Sequence, residues 1–194
     1  MAICLAPAQV AAQSRSGHVP AATDHVVIAT AWGPIEVELY GDDAPNTVDN
    51  FLQYVDDALF DGGSFFRVVR EDNQPNDSVR IGVVQGGPPR GVGDRMRPAI
   101  ALERTRDTGV RHLDGAISMA RGGPDTGRSQ FFICIGDQPE LDYDGRRNPD
   151  GQGFAAFGRV VEGMDVVRRI QEAAADGQRL VDPVAIVAIT RSES

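Results

Sequence analysis

Between residues 64 and 161 the chain is cut into short runs, SFFRVV, SVRIGVVQ, GAISMA, SQFFICI and FAAFGRVV, the first two parted by the polar REDNQPND and the rest by segments containing glycine. Runs of that length suit strands and are too short for ordinary helices. Two further apolar runs, broken at Gly33-Pro34 in HVVIATAWGPIEVELY, predict a hairpin that opens the domain. In its second arm Ile35, Val37 and Leu39 alternate with Glu36 and Glu38, the pattern of a strand buried on one face. PVAIVAI adds a closing strand. Many short strands without intervening helices argue against βαβ units and for an antiparallel barrel or sandwich.

Two segments carry a helical period. In DDAPNTVDNFLQYVDDALF, Val48, Phe51, Leu52, Val55 and Leu59 fall at i, i+3, i+4, i+7 and i+11, and Asp42, Asp43 and Pro45 supply start signals. Over 163–175, Met164, Val167, Ile170 and Ala174 share a stripe, with Gly177 as a stop. The expectation is a mainly β domain over residues 25–194, capped by two α-helices.

One strand is unusual. In GRSQFFICIG, 127–136, period 2 puts Phe131, Ile133 and Ile135 on a wholly apolar face that wants a core. Gln130, Phe132 and Cys134 share the other face. What a buried strand does with an amide beside an aromatic ring on its wetter side is the question the pattern poses.

Several chemistries lack their parts. A formal charge of −9 argues against nucleic acid, which is bound by basic groups through counterion release. All 19 basic residues are arginine, so neither a Walker-type loop nor a Schiff base can form. GGPPRGVGD, 86–94, is then a glycine-rich loop and not a phosphate cradle. DYDGRRNPDGQG, 142–153, begins like a calcium loop but places Gly153 where a bidentate glutamate is needed. Ser129 is not in a G-x-S-x-G elbow. His18, His25 and His112 show no metal-ligand spacing, and His112, in a polar stretch, reads as solvated. Cys134 reads as a small buried hydrophobe and Cys4 lies in the tail, so neither a disulfide nor a metal cluster is expected. No cofactor is implied.

The N-terminus differs from the body. MAICLAPAQVAAQ is apolar, alanine-rich and ends like the small-residue cleavage region of a secretory signal, although no positive charge precedes the run. Residues 1–24 are expected to be a partial signal peptide followed by a Ser/Gly/Pro/Ala linker. That implies a periplasmic or exported protein, with the cytoplasm as the alternative. No run is long enough to span a bilayer.

GPIEVELYGDDAPNTVDNF, GGSFFRVV, VVQGG, GAISMARGGPDTGRSQFFI, ELD and FAAFGRVVEGMDVV occur in that order over roughly residues 25–190. Together they resemble the cyclophilin family of peptidyl-prolyl cis–trans isomerases, in a bacterial-like form. The resemblance implies a closed eight-stranded antiparallel barrel capped by two helices. It also implies that the Gln130–Phe132 face lines a groove for an X-Pro segment, with Phe132 as the floor of the proline pocket and Gln130 bonding the peptide beside it. By the same resemblance Arg67 is the donor to the prolyl nitrogen, Gln85 anchors a substrate carbonyl and orients Arg67, and Arg67, Gln85 and Phe132 form the catalytic set. Val83, Met119, Ala120, Arg121, Gly122, Gln130, Leu141 and Phe154 form the substrate-binding set, Ala120–Gly122 through their main chain.

The chain departs from the family pattern at several points. Arg121 stands where asparagine is common, Phe154 where a histidine lies at the pocket rim, and Val83 where the best-known members have methionine. Glu140 replaces the tryptophan that binds cyclosporin in many eukaryotic members, which implies weak cyclosporin binding. Gly82 falls where a pocket phenylalanine usually lies, and REDNQPNDS reads as an inserted polar loop, with Ile81 as a substitute for the missing ring. The implied partners are proline-containing peptides or unfolded client proteins, bound by a monomer. Arg67, Gln85, Gln130 and Phe132 favour an isomerase; Gly82 favours a catalytically weak proline-peptide binding module or chaperone on the same fold.

Overall fold

The computed structural model describes residues 24–192. The expected signal and linker, with Cys4 and His18, lie outside the described residues except for Asp24. The strands are β1 (Asp24–Thr30), β2 (Gly33–Leu39), β3 (Ser64–Val69), β4 (Val83–Gly87), β5 (Ala116–Met119), β6 (Phe131–Cys134), β7 (Ala155–Glu162), β8 (Ala175–Asp176) and β9 (Arg179–Ser192). The helices are α1 (Pro45–Asp56), the single turn α2 (Thr105–Thr108) and α3 (Met164–Glu172). The sheet runs β1-β2-β7-β5-β6-β4-β3-β9, and β1 pairs again with β9, so eight antiparallel strands close into a barrel. Closure leaves no long unpaired edge. The two-residue β8 is a hairpin arm on β9.

Alternation fills the barrel. Ile35, Val37 and Leu39 of β2 are fully buried, as are Phe131 and Ile133 of β6, so the period-2 expectation holds for both strands. Helix α1 lays Phe51 against this core, with its ring centroid 5.6 Å from Phe131 and 5.3 Å from Phe157. Val166, Val167 and Ile170 of α3 join the same cluster. Replacing a ring such as Phe131 by alanine would cost about 3–5 kcal/mol.

The start of α1 is capped from a distance. Ala44 at the N-cap offers no side-chain bond, although Pro45 takes the first turn as expected. Instead Glu103 accepts from the Asn46 and Thr47 backbone N–H groups at 3.0 and 2.8 Å, and from the Thr47 hydroxyl at 2.6 Å. A carboxylate there meets both the orphan donors and the positive end of the helix. Further along, Asn50 donates to the Arg128 carbonyl at 2.5 Å, tying α1 to the segment that leads into β6.

Three boundaries differ from the sequence pattern. The opening turn lies at Ala31-Trp32, and Gly33-Pro34 already belong to β2. α3 ends at Glu172, because Ala173 turns extended and the chain enters β8. The run SVRIGVVQ is strand only from Val83. Before it, residues 70–82 fold through side chains. Gln74 is buried and its amide donates to the Arg70 and Ile81 carbonyls, at 2.7 and 2.8 Å, while accepting from the Ile81 N–H at 3.3 Å. A side chain that meets both backbone groups of Ile81 replaces the ladder a strand would have supplied.

Candidate active site

Cross-strand register builds the site. Arg67 of β3 lies opposite Gln85 of β4, Gln85 opposite Phe132 of β6, and Phe132 opposite Ser118 of β5. Residues paired in this way project from the same face of a sheet, and here it is the outer face of the barrel. β3 needs a device to join the row. Strict alternation would put Arg67 on the same face as Phe65, which is fully buried in the core. The register shifts between Phe65 and Arg67, so Arg67 emerges outward while Val68 returns to the core. Such a bulge re-aims one side chain without opening the barrel.

A hydrogen-bonded chain runs along the row. Arg67 Nη1 donates to Gln85 Oε1 at 2.7 Å, and Gln85 Nε2 donates to Gln130 Oε1 at 2.9 Å. From the other side Gln178 Oε1 accepts from Arg67 Nε and Nη2 at 3.0 and 2.5 Å. Arg67 is half-buried, and burial lowers its pKa from the ordinary value; the nearby Arg147 acts in the same direction and Asp77 opposes it. A guanidinium stays charged at neutral pH regardless. Gly87 lets Gln130 approach, since a Cβ there would meet Gln130 Cγ at 3.0 Å.

Beside this chain lies a second apolar cluster, separate from the barrel core. It contains Val69, Ile81, Val83, Phe132 and Leu141, with Phe154 and Ala120 packed against it. The Phe154 ring meets Phe132 edge-on at 5.2 Å, and its backbone N–H donates to the Leu141 carbonyl at 2.9 Å. Gly82 does not face this cluster. A Cβ on it would meet the Ile135 carbonyl oxygen at 2.9 Å, so Ile81 and Val83 are the residues that turn inward to Phe132.

Not every expected residue joins the groove. Met119 lies opposite the core residue Phe131 and packs in the barrel, so only its main chain is near. The Arg121 side chain, 2% exposed, turns away into the 142–153 loop. There it makes a bidentate pair with Asp150 at 2.8 and 2.9 Å, donates to the Gly153 carbonyl, and lies 5.1 Å over the Phe154 ring. Gly122 is exposed on the rim. Ala120 is held to β6 by its N–H, which donates to the Gln130 carbonyl at 2.8 Å.

His112 is a correction. It is buried, stacked at 6.0 Å on Phe132, and bonded through Nδ1 to Asp142 at 2.7 Å and through Nε2 to the Ser118 hydroxyl at 2.9 Å. Ser, His and Asp in that order resemble a nucleophilic triad. Ser118 is fully buried behind Phe132, however, so no substrate carbonyl reaches it. The three residues support the floor of the apolar cluster. No pattern of spacing links 112, 118 and 142, and Gln178 sits in a turn, so sequence reasoning had no signal for either partner set.

Residues 25–191 match the family described as cyclophilin type peptidyl-prolyl cis-trans isomerase/CLD. The chain belongs to this family. A peptidyl-prolyl cis-trans isomerase-like 1 of Rhizopus delemar is 37% identical over 151 residues, covering 76% of this chain and 79% of the relative. Peptidyl-prolyl cis-trans isomerase A of Dickeya dadantii is 37% identical over 152 residues, covering 76% and 71%. The fold also matches a crystal structure of a Cryptosporidium parvum cyclophilin with a TM-score of 0.70, at 22% identity, over 89% of this chain and 99% of that one. A second structure of that protein was obtained in the presence of the dipeptide Ala-Pro. Within this cyclophilin Arg67, Gln85 and Phe132 share one outer face, with a polar chain on one side and an apolar cluster on the other.

Proposed function

We propose that this cyclophilin accelerates rotation about X-Pro bonds by holding the prolyl ring against Phe132 while Arg67 donates to the prolyl nitrogen. The barrier to that rotation is about 18–20 kcal/mol, because the nitrogen lone pair is delocalised into the carbonyl. No nucleophile or proton shuttle is required. Catalysis needs only interactions that are stronger in the twisted state, where the lone pair is localised on nitrogen and accepts a hydrogen bond. Every 1.4 kcal/mol of such preference is about tenfold in rate.

The observation that carries the reading is the single register row of Arg67, Gln85 and Phe132. It sets a fixed cationic donor next to an apolar surface on one rigid sheet. Gln178 and Gln85 satisfy three of the guanidinium N–H groups and fix its plane, so little reorganisation is needed when the nitrogen turns toward it. Val83, Leu141 and Phe154 form the walls, Gln130 bonds the peptide beside the ring, and the Ala120–Gly122 main chain pairs with the extended segment. The substrates are proline-containing peptides and unfolded chains.

The test is the cis-to-trans rate of a short Ala-Pro peptide with the parent and with Arg67→Ala. The parent accelerates exchange, and the variant loses about a hundredfold or more, the scale for removing one preorganised donor. Folded parent that binds the peptide without accelerating exchange would make the chain a proline-peptide binding module instead.

A further inference from the structure

Beyond Arg67, on the side away from Phe132, β3 and β9 part. Their register places Val184 opposite Phe65 but Arg179 opposite Arg67, so residues 180–183 of β9 swing out of the ladder. Over this part of β3, between residues 88–90 and the β8–β9 arm, lies a cleft of about 710 Å³ that shares Arg67 and Gln130 with the site. Its apolar lining includes Phe66, Pro88, Pro89 and Pro183. Its charged lining is Arg67, Arg90 and Arg179 against Asp176 alone.

That surplus of positive charge is notable in a chain with a formal charge of −9. Like charges directly opposite each other in a sheet are destabilising, yet Arg67 and Arg179 occupy such positions. Among the described residues neither Arg90 nor Arg179 has a carboxylate within ion-pairing distance. A cleft built this way is complementary to an anion carried on an apolar chain. On the proposed seating, with the ring on Phe132 and Arg67 at the prolyl nitrogen, a chain leaving the proline past Arg67 meets this cleft, which shares Arg67 and Gln130 with the site.

We infer that the cleft over β3, between residues 88–90 and the β8–β9 arm, is a specificity subsite for an acidic side chain carried one or two residues after the substrate proline. The inference rests on the proposed seating of proline on Phe132. Arg179 and Arg90 supply the attraction, and the proline-lined wall receives the extended backbone.

The experiment uses the full chain, labelled with nitrogen-15, and three blocked hexapeptides. One is Ala-Ala-Pro-Ala-Glu-Ala, the second has Gln for that Glu, and the third is Glu-Ala-Pro-Ala-Gln-Ala. Amide shift titration reads the dissociation constant, and exchange spectroscopy reads isomerisation in the same samples. The first peptide should bind about fivefold more tightly than the second at low salt, the upper range for a solvent-accessible charge pair. It should perturb the amides of Gly62, Ser64 and Phe66. The advantage should vanish in Arg179→Gln, shrink in Arg90→Gln, and vanish at about 0.5 M NaCl, where exposed charges are screened within a few ångströms. Equal affinities for the first two peptides, or a preference for the third, would overturn the subsite. Loss of isomerisation with all three, alongside a retained Glu preference, would overturn the catalytic reading and leave the subsite standing.

Discussion

Gln178 is the residue whose replacement separates positioning from chemistry. Its carbonyl oxygen accepts from both Nε and Nη2 of Arg67, while Gln85 accepts only from Nη1. Gln178→Ala removes two charge-assisted bonds. Each would be worth about 1.5–3 kcal/mol if fully buried, but Arg67 is only half-buried, and water recovers most of that. What remains is the cost of holding the guanidinium plane with one partner in place of two, about 1–1.5 kcal/mol, or roughly tenfold in kcat. Arg67→Ala removes the donor itself and loses about a hundredfold or more. Because Gln178 acts through Arg67, the double variant should be no slower than Arg67→Ala alone. The assay is exchange spectroscopy on an Ala-Pro peptide over a range of peptide concentrations, so that kcat and KM are read separately. Gln178→Ala should lower kcat with little change in KM. A further tenfold loss in the double variant would mean that Gln178 touches the substrate on its own account, and the positioning argument would fail.

Two other outcomes follow from the groove's rim. Glu140 is bound to Arg146, whose Nη2 and backbone N–H donate to it at 2.7 and 2.9 Å; if the family resemblance sets this ion pair at the position of the cyclosporin-binding tryptophan, inhibition of isomerisation by cyclosporin should be weak and should strengthen in Glu140→Trp, and strong inhibition of the parent would contradict the assignment. The bidentate Arg121 pair depresses the Asp150 carboxyl to about 2 from an ordinary value of 3.8. A depressed folded pKa means that the pair's contribution is complete above the unfolded value and is lost as pH falls through the folded one. The Asp150 carboxyl carbon should therefore titrate near 2 by NMR, with the Phe154 ring resonances moving in the same window, and a midpoint near the ordinary value would show the pair broken in solution.

Much of the barrel was legible because burial imposes period 2 on strands and 3.6 on helices. SFFRVV matches β3 end to end, and the α1 stripe of Val48, Phe51, Leu52 and Val55 is the buried face of that helix. The two-faced reading of β6 also survives, with Phe131 and Ile133 in the barrel and Phe132 and Cys134 in the outer cluster. What escaped were contacts between residues far apart in sequence that obey no period. Glu103 caps a helix 56 residues away in the chain. His112, surrounded in sequence by polar residues, is drawn inward because Asp142 and Ser118 satisfy both ring nitrogens. Gln178 reaches Arg67 across 111 positions. Backbone periodicity reports which face is buried, whereas these polar partners are chosen by three-dimensional register that only the closed barrel defines.

The segment 70–82 carries the same argument to the pocket itself. The family resemblance puts Gly82 in place of a ring, with REDNQPNDS inserted before it, which would leave the groove shallow. In the fold Gly82 faces the Ile135 carbonyl, where any side chain would collide, and its own carbonyl accepts from the Ile135 N–H at 2.9 Å. Glycine is thus required by the close approach of two backbones. The pocket side of the segment falls to Ile81, which is held at both backbone groups by Gln74. Arg147, from the loop behind Leu141, donates to the Val79 carbonyl at 2.7 Å and pairs with Asp77 at 3.2 Å, so the segment is fastened on its outer side as well. An inserted loop tied at these points adds a wall to the Phe132 cluster instead of removing one. The charges that tie it down, Arg147 and Asp77, are the same pair whose fields act in opposite directions on Arg67. The insertion therefore reaches the donor twice, through the charge of Asp77 and through Asn73, whose carbonyl accepts from Gln178 Nε2 at 3.3 Å and whose amide donates to the Gly177 carbonyl at 3.0 Å.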